Sequence, residues 1–227
     1  MFQRQSFSYL PPVIKNLLII NGLAFFASIT FAQMGTNLLQ MFGLYLPQSE
    51  HFQPYQLVTH LFFHDLTNFG HIFGNMFALW MFGMSLENLW GSKRFFIFYF
   101  VTGIGAALCH MGVNMYELYV HGDKMVEIGN YAIRNADYLL QIPTVGASGA
   151  VFGLLLGFGM TFPEQRIYIY FLMPIKAKYF VAIYGLIELF SGFNNANSDI
   201  AHFAHIGGML FGYLLLRYWK SQQFRRY

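Results

Sequence analysis

Two residues that can act together as a nucleophile and a base lie near the beginnings of two apolar segments. Ser148 stands in the run GASG (146–149), and His205 stands in the run AHIGG (204–208). A serine hydroxyl is a weak nucleophile until a neighbouring base takes its proton, and histidine is the commonest such base. The two positions therefore predict a serine–histidine pair that carries out acyl transfer.

The composition indicates where that chemistry would take place. Apolar residues make up 56% of the 227-residue chain and charged residues only 10%, which is too few to cover a soluble protein of this size. The sequence thus predicts an integral membrane protein. Its single cysteine, Cys109, excludes a disulfide within the chain and a cysteine-based metal site.

Six apolar segments are long enough, or nearly so, to cross a bilayer core of about 30 Å, which takes about 20 helical residues. Pro163 and Pro174 separate the fourth segment from the fifth. The expected fold is an all-α membrane protein, a bundle of six transmembrane helices. The segments are 13–33, 69–90, 94–113, 147–162, 174–191 and 203–219.

The basic residues predict how the six segments are oriented, because cytoplasmic ends of membrane helices carry the excess of Lys and Arg. With both termini inside, only Lys124 and Arg134 of the 13 basic residues lie outside. The inner side then holds Arg4, Lys15, Lys93, Arg94, Arg166, Lys176, Lys178, Arg217, Lys220, Arg225 and Arg226.

This orientation puts four polar residues at similar depth near the outer face. Ser148 and His205 each lie about 21 Å above the inner end of their segments, and Asn75 lies about 22 Å above the inner end of the second. His71 is one turn further out, on the same helix face as Asn75. Three separate helices therefore bring polar groups to one layer of the membrane.

Small residues predict that the fourth and sixth segments pack closely. Gly149 and Gly153 are spaced by four residues, as are Gly208 and Gly212, which lets two helix backbones approach. The fourth segment is also short, so its non-helical approach, 144–147, would lie within the membrane. Irregular backbone there requires a protein-lined cavity.

Each of these candidate functional residues also has a simpler structural interpretation. A serine in a small-residue membrane helix, such as Ser148, is more often a packing residue than a nucleophile. A histidine within the membrane, such as His205, costs free energy to bury and usually has a function. His60 and His64 have the spacing of a ligand pair, although packing in a loop is the favoured interpretation.

Two further polar residues near the sixth segment, His202 and Glu188, are not predicted to be catalytic. His202 is interpreted as a neighbour at the entry of that segment rather than a catalytic group. Glu188 can line the cavity, but solvation at the interface is the commoner explanation. No carboxylate is therefore assigned as a third catalytic member, and a serine–histidine dyad is expected to suffice.

The combined motifs resemble the rhomboid intramembrane serine proteases over about 55–218. They are GASG (146–149), AHIGG (204–208) with Gly212, and HIFGN (71–75). The resemblance implies that Ser148 is the nucleophile and His205 the general base and acid. It also implies an oxyanion hole made by His71, Asn75 and the Ser148 backbone N–H.

Other positions agree with or depart from the family pattern. Glu87 with the Gly-Ser pair 91–92 is similar to the family's turn after the second helix. The first outer loop has Pro-Tyr-Gln at 54–56 where the family often has Trp-Arg. Phe152 stands where a tyrosine commonly packs on the base, so the ring is kept and the hydroxyl is lost.

The sequence-based hypothesis is one rhomboid-like membrane domain, 1–227, with a core at about 55–218 and a long outer loop at about 114–143. It would be a serine endopeptidase that cleaves transmembrane protein substrates in the bilayer, without metal, cofactor or nucleic acid. The predicted location is a bacterial plasma (inner) membrane, with both termini cytoplasmic. The alternatives are an inactive rhomboid-like protein that binds membrane helices and, less favoured, a histidine-rich membrane metalloenzyme.

Overall fold

The chain is mostly helical in the computed structural model, which describes residues 7–128, 131–169, 173–194 and 202–224. Helices and strands follow in the order α1 (Pro12–Gln33), α2 (Leu38–Phe42), α3 (Gln56–Thr59), α4 (Phe69–Trp90), α5 (Ser92–His121), β1 (Met125–Ile128), β2 (Tyr131–Arg134), α6 (Asn135–Gln141), α7 (Ser148–Thr161), β3 (Arg166–Ile169), β4 (Met173–Lys176), α8 (Ala177–Asn194) and α9 (His202–Phe224). A 3₁₀ turn, His60–Phe62, follows α3. Each of the six predicted segments corresponds to one helix of 14 residues or more, namely α1, α4, α5, α7, α8 or α9.

The prediction of an all-α fold is wrong at two connections. The chain forms an antiparallel hairpin of β1 and β2 on the predicted outer side and another of β3 and β4 on the predicted inner side. Each strand has four residues, too few to produce a clear alternating pattern in the sequence. Pro174 lies within β4, so α8 begins at Ala177, three residues later than expected.

The predicted outer loop also begins too early. Helix α5 continues to His121, eight residues past the expected end, because a helix need not stop where it becomes long enough to cross a bilayer. Its last turn contains the ion pair of Glu117 and His121, with Oε2 and Nδ1 2.7 Å apart at i, i+4 spacing. The rest of the predicted loop contains the first hairpin and α6.

Helix α9 packs against both α5 and α7, and small residues allow the close approach. A Cβ atom built on Gly208 would collide with the backbone carbonyl oxygen of Gly149 on α7. A Cβ atom built on Gly153 would lie 2.5 Å from the Cβ atom of Thr102 on α5. A Cβ atom built on Gly212 would lie 3.4 Å from the Gly153 carbonyl oxygen. The predicted contact between the fourth and sixth segments is therefore confirmed.

A buried carboxylate fixes the start of α1 against the end of α4. Glu87 accepts hydrogen bonds from the backbone N–H groups of Val13 and Ile14, each at 3.0 Å, and from the Ser92 hydroxyl at 2.7 Å. Gly91 has φ +79°, a conformation that favours glycine, and it lets α5 begin directly after α4. The predicted turn thus joins three helices.

By length and composition, α1 and α5 are able to cross a membrane, and α7 is a shorter apolar helix. On the predicted inner side, Glu164 pairs with Lys176 at 2.8 Å and Lys178 at 2.5 Å. These two lysines hold the pKa of the Glu164 carboxyl at about 2. Three residues predicted on the same side, Arg4, Arg225 and Arg226, lie outside the described residues.

Candidate active site

Ser148 is the first residue of α7, and the segment before it is held by the connection between α1 and α4, the first predicted outer loop. Thr144 and Leu44 form a two-way backbone bridge, with both N···O distances at 2.8 Å. The Gly146 N–H donates to the His60 carbonyl oxygen at 3.0 Å. A small, partly open space of about 30 Å³ lies between these segments and reaches Ser148, which agrees with the predicted cavity.

The hydroxyl of Ser148 and the imidazole of His205 are in direct contact. Ser148 Oγ lies 2.9 Å from His205 Nε2, although the two residues are 57 positions apart in the chain. Because α7 and α9 approach closely at Gly149 and Gly208, the first turns of the two helices face each other. The contact predicted from the helix depths is therefore present.

Aromatic rings hold the His205 imidazole in place. Phe152, one turn after Ser148 on α7, stacks on the imidazole with ring centroids 4.0 Å apart and planes 5° from parallel. Tyr184 of α8 stacks on the other face of Phe152 at 5.3 Å. The predicted packing of Phe152 on the base is present, and it joins three helices in one stack.

His71 lies beside the turn that precedes Ser148. Gly146 has φ +129°, and a Cβ atom built on it would lie 2.8 Å from His71 Nε2. The Asp65 backbone N–H donates to His71 Nδ1 at 3.4 Å, so the tautomer that keeps this bond carries its proton on Nε2, the nitrogen nearer Gly146. The Asn75 amide donates to the His71 carbonyl oxygen at 3.0 Å and is thus engaged within its own helix.

A carboxylate contacts His205 on the side away from Ser148, and this contact was not predicted from the sequence. Glu188 Oε2 on α8 lies 2.8 Å from His205 Nδ1 and 2.7 Å from His202 Nδ1. All three residues are buried, so the expectation that Glu188 is solvated at the interface is wrong. His202 lies at the entry of α9 as expected, and its hydrogen bond to Glu188 is an addition to that interpretation. A single carboxylate in the apolar run of α8, facing a helix with two histidines, was the available signal.

The same three residues have the chemical types of a metal-binding group. Their nitrogen and oxygen ligand atoms all lie within 4.8 Å of one another, which no other trio of such residues achieves within the described ranges. In this arrangement, however, the carboxylate already accepts from both imidazoles, and the second nitrogen of His205 faces Ser148.

His60 and His64 are buried in the first outer loop. His60 Nδ1 donates to the Gln56 carbonyl oxygen at 2.8 Å, and the His64 ring lies edge-on to the His71 ring with centroids 5.1 Å apart. Burial lowers the pKa of His60 to about 4 and that of His64 to about 3, where the nearby His71 adds to the effect. Both are packing residues of the loop, as favoured from the sequence.

The fold and the site define a mostly helical membrane protein in which a partly buried serine at the start of a short helix contacts a buried histidine. The Rhomboid domain family matches residues 51–221, and the chain belongs to the rhomboid family. Family membership makes it an integral membrane protein, in agreement with its composition.

Several curated proteins are similar to the chain. Rhomboid-like protein 19 of Arabidopsis thaliana is 30% identical over 72% of this chain and 48% of its own length. Rhomboid protein 1, mitochondrial, of Saccharomyces cerevisiae is 28% identical over 82% of this chain and 52% of its own length. Presenilin-associated rhomboid-like protein, mitochondrial, of Homo sapiens is 28% identical over 67% of this chain and 36% of its own length.

The chain thus spans about half, or less, of the length of these curated relatives. All three come from eukaryotes, and two are mitochondrial proteins. They give no support to the predicted bacterial plasma membrane.

Proposed function

We propose that this protein is an intramembrane serine endopeptidase that hydrolyses peptide bonds in or beside transmembrane helices. The observation that supports this most directly is the 2.9 Å separation of Ser148 Oγ and His205 Nε2 in a site lined by apolar helices. An inactive, helix-binding rhomboid-like protein has no need for a hydroxyl and an imidazole at this distance.

The reaction follows from the two side chains. Ser148 Oγ bonds to the substrate carbonyl carbon while His205 Nε2 takes the hydroxyl proton. The C–N bond then breaks, and the imidazolium gives its proton to the departing amine. Water next attacks the acyl ester, His205 takes a proton from it, and the proton returns to Ser148 as the carboxylic acid product leaves.

The oxyanion that develops on the carbonyl oxygen needs donors. Ser148 is the first residue of α7, so its backbone N–H lacks a partner four residues earlier within that helix and is a candidate donor. The nearness of His71 Nε2 to Gly146 supports its role as a second donor. Asn75 is the third proposed donor and would have to turn away from the His71 carbonyl when substrate binds.

We further propose that the single domain, 1–227, crosses the membrane six times with both termini inside. The positions of the six long helices and the distribution of basic residues support this topology. The substrates would be transmembrane proteins with residues that destabilise a helix near the cleavage site, because an intact helix keeps its peptide groups in hydrogen bonds.

The decisive experiment compares the purified protein with Ser148→Ala and His205→Ala in liposomes, using a single-span reporter with a destabilised helix. We expect both variants to retain their melting temperature and to lose cleavage. Ser221→Ala and His51→Ala are matched controls, since both residues are exposed and their side chains contact residues outside the site, and they should cleave as the unaltered protein does.

The outcomes separate the alternatives. A reporter left intact by the unaltered protein, but bound by it and by Ser148→Ala, would indicate an inactive helix-binding protein. Loss of cleavage in a metal chelator, restored by zinc or iron, would instead indicate a metalloenzyme. We expect the chelator to leave the rate unchanged, because neither proposed catalytic step uses a metal.

A further inference from the structure

A buried carboxylate in an apolar helix requires a specific partner. Glu188 is 7% exposed, and an unpaired carboxylate at such a site would be very costly. Its Oε2 atom lies within 2.8 Å of one imidazole nitrogen and 2.7 Å of another. These two hydrogen bonds therefore form a specific polar contact between α8 and α9.

The contact determines which nitrogen of His205 carries the proton. A carboxylate oxygen has no proton to donate, so His205 Nδ1 must donate to Glu188 Oε2. In the neutral ring, Nε2 is then left as the acceptor, and Nε2 is the atom 2.9 Å from Ser148 Oγ. The tautomer that Glu188 selects is the one that can take the serine proton.

The same contact matters when the imidazole becomes charged. Once Nε2 has taken the proton from Ser148, the imidazolium lies 2.8 Å from the buried Glu188 carboxylate, which stabilises the new charge. His202 donates to the same oxygen from one turn earlier on α9 and so holds the carboxylate in position.

We propose that Glu188 is a positioning residue, the third member of a Ser148–His205–Glu188 triad, and that His202 orients its carboxylate. This inference rests on the proposed function and extends it beyond a serine–histidine dyad. Glu188 would act through His205 and not touch the substrate.

The test compares Glu188→Gln with the unaltered protein in steady-state cleavage across a pH series. The amide keeps the size of the side chain but removes its charge. We expect kcat to fall about 100-fold with KM changed less than about 3-fold, since substrate binding is untouched. The acid limb of the kcat/KM profile should move to lower pH, because the imidazolium loses its counter-charge.

Other charged or titratable groups near His205 stay in place in this comparison. They are His202 on α9, Tyr184 on α8, His71 on α4 and His110 on α5. Glu117→Gln is the matched control, because Glu117 also pairs with a histidine at 2.7 Å, but at the end of α5. It should leave kcat, KM and the pH profile unchanged.

His202→Gln gives a second, graded readout. It keeps the contact of Glu188 with His205 and removes the other imidazole, so we expect a smaller fall in kcat, about 3- to 10-fold. His121→Gln, which removes the imidazole of the control pair, should have no effect.

The tautomer can be observed without a variant, which matters if Glu188→Gln does not fold. In protein labelled with ¹⁵N-histidine, His205 should show a protonated Nδ1 and an unprotonated Nε2 at pH 8. A protonated Nε2, or normal kcat and pH profile in folded Glu188→Gln, would overturn the triad while Ser148→Ala remained inactive. Cleavage that survives in Ser148→Ala would instead overturn the proposed function.

Discussion

Position 146 has no room for a side chain. Its φ of +129° is strained for any residue but glycine, and a Cβ atom would lie 2.8 Å from His71 Nε2. The turn before Ser148 therefore depends on a glycine for both its conformation and its approach to His71.

We expect Gly146→Ala to lower the free energy of unfolding by about 1–3 kcal/mol and to reduce cleavage more than 10-fold, because the turn and His71 must both shift. Thermal melting and reporter cleavage in detergent measure the two effects. Gly22→Ala is the matched control, since nothing lies within 4 Å of a Cβ there. Equal melting temperatures and equal cleavage rates of the two variants would contradict the requirement for glycine at position 146.

Two buried histidines of the first outer loop predict how stability depends on pH. His60 and His64 have pKa values of about 4 and about 3 in the folded chain, below the ordinary 6.5. Between these values and 6.5 the unfolded chain binds more protons, so stability decreases as pH falls through that window. Each histidine should contribute about 1.4 kcal/mol per pH unit.

The measurement is the melting temperature from pH 7 to pH 5 for the unaltered protein and for His64→Leu. The apolar leucine has nothing to protonate, so the slope with pH should become shallower. His51→Leu, at a more exposed histidine of the same loop, should keep the original slope. An unchanged slope in His64→Leu would mean that the pKa of His64 is the same in the folded and the unfolded chain, which would contradict its burial in the loop.

Among the elements, α7 and α9 depend on glycine for their contact. A Cβ atom at Gly208 meets the Gly149 carbonyl oxygen, which belongs to the backbone and cannot turn aside. The helices would have to separate, and with them Ser148 and His205. We expect Gly208→Ala to cost about 1–3 kcal/mol of stability and to abolish most cleavage.

Gly112→Ala on α5, where the space is open, is the control for this helix contact. It should melt at or above the original temperature, because alanine favours the helix over glycine. If Gly208→Ala cleaved as well as Gly112→Ala, close packing of α7 and α9 would not be what brings the dyad together.

The sequence predicted the six long helices and the contact of Ser148 with His205, because periodic apolar segments and glycine spacing are local signals. It could not reveal the pairing of Glu188 with His202 and His205, since that depends on how α8 is rotated against α9. The β hairpins are not predictable because four-residue strands carry little pattern. The end of α5 is not predictable either, because bilayer thickness does not limit the length of a helix.

For the molecule as a whole, the proposed six-span topology predicts which ends of the chain face each compartment. Lys124, in the outer connection, and Lys220, near the end of α9, are both exposed and should lie on opposite sides of the membrane. In a Cys109→Ala background, Lys124→Cys and Lys220→Cys provide one thiol each.

In sealed vesicles whose outer face is the predicted outer side, a membrane-impermeant maleimide should label Lys124→Cys and leave Lys220→Cys unlabelled. Detergent should make both reactive, which shows that the second thiol was shielded by the membrane and not by the fold. The proposed topology places three spans, α7, α8 and α9, between the two thiols. Labelling of both thiols before detergent would require an even number of spans between them and would overturn this topology. Since Ser148 and His205 lie at the N-terminal ends of α7 and α9, which the proposed topology places on the outer side, the same result would decide from which side water reaches them.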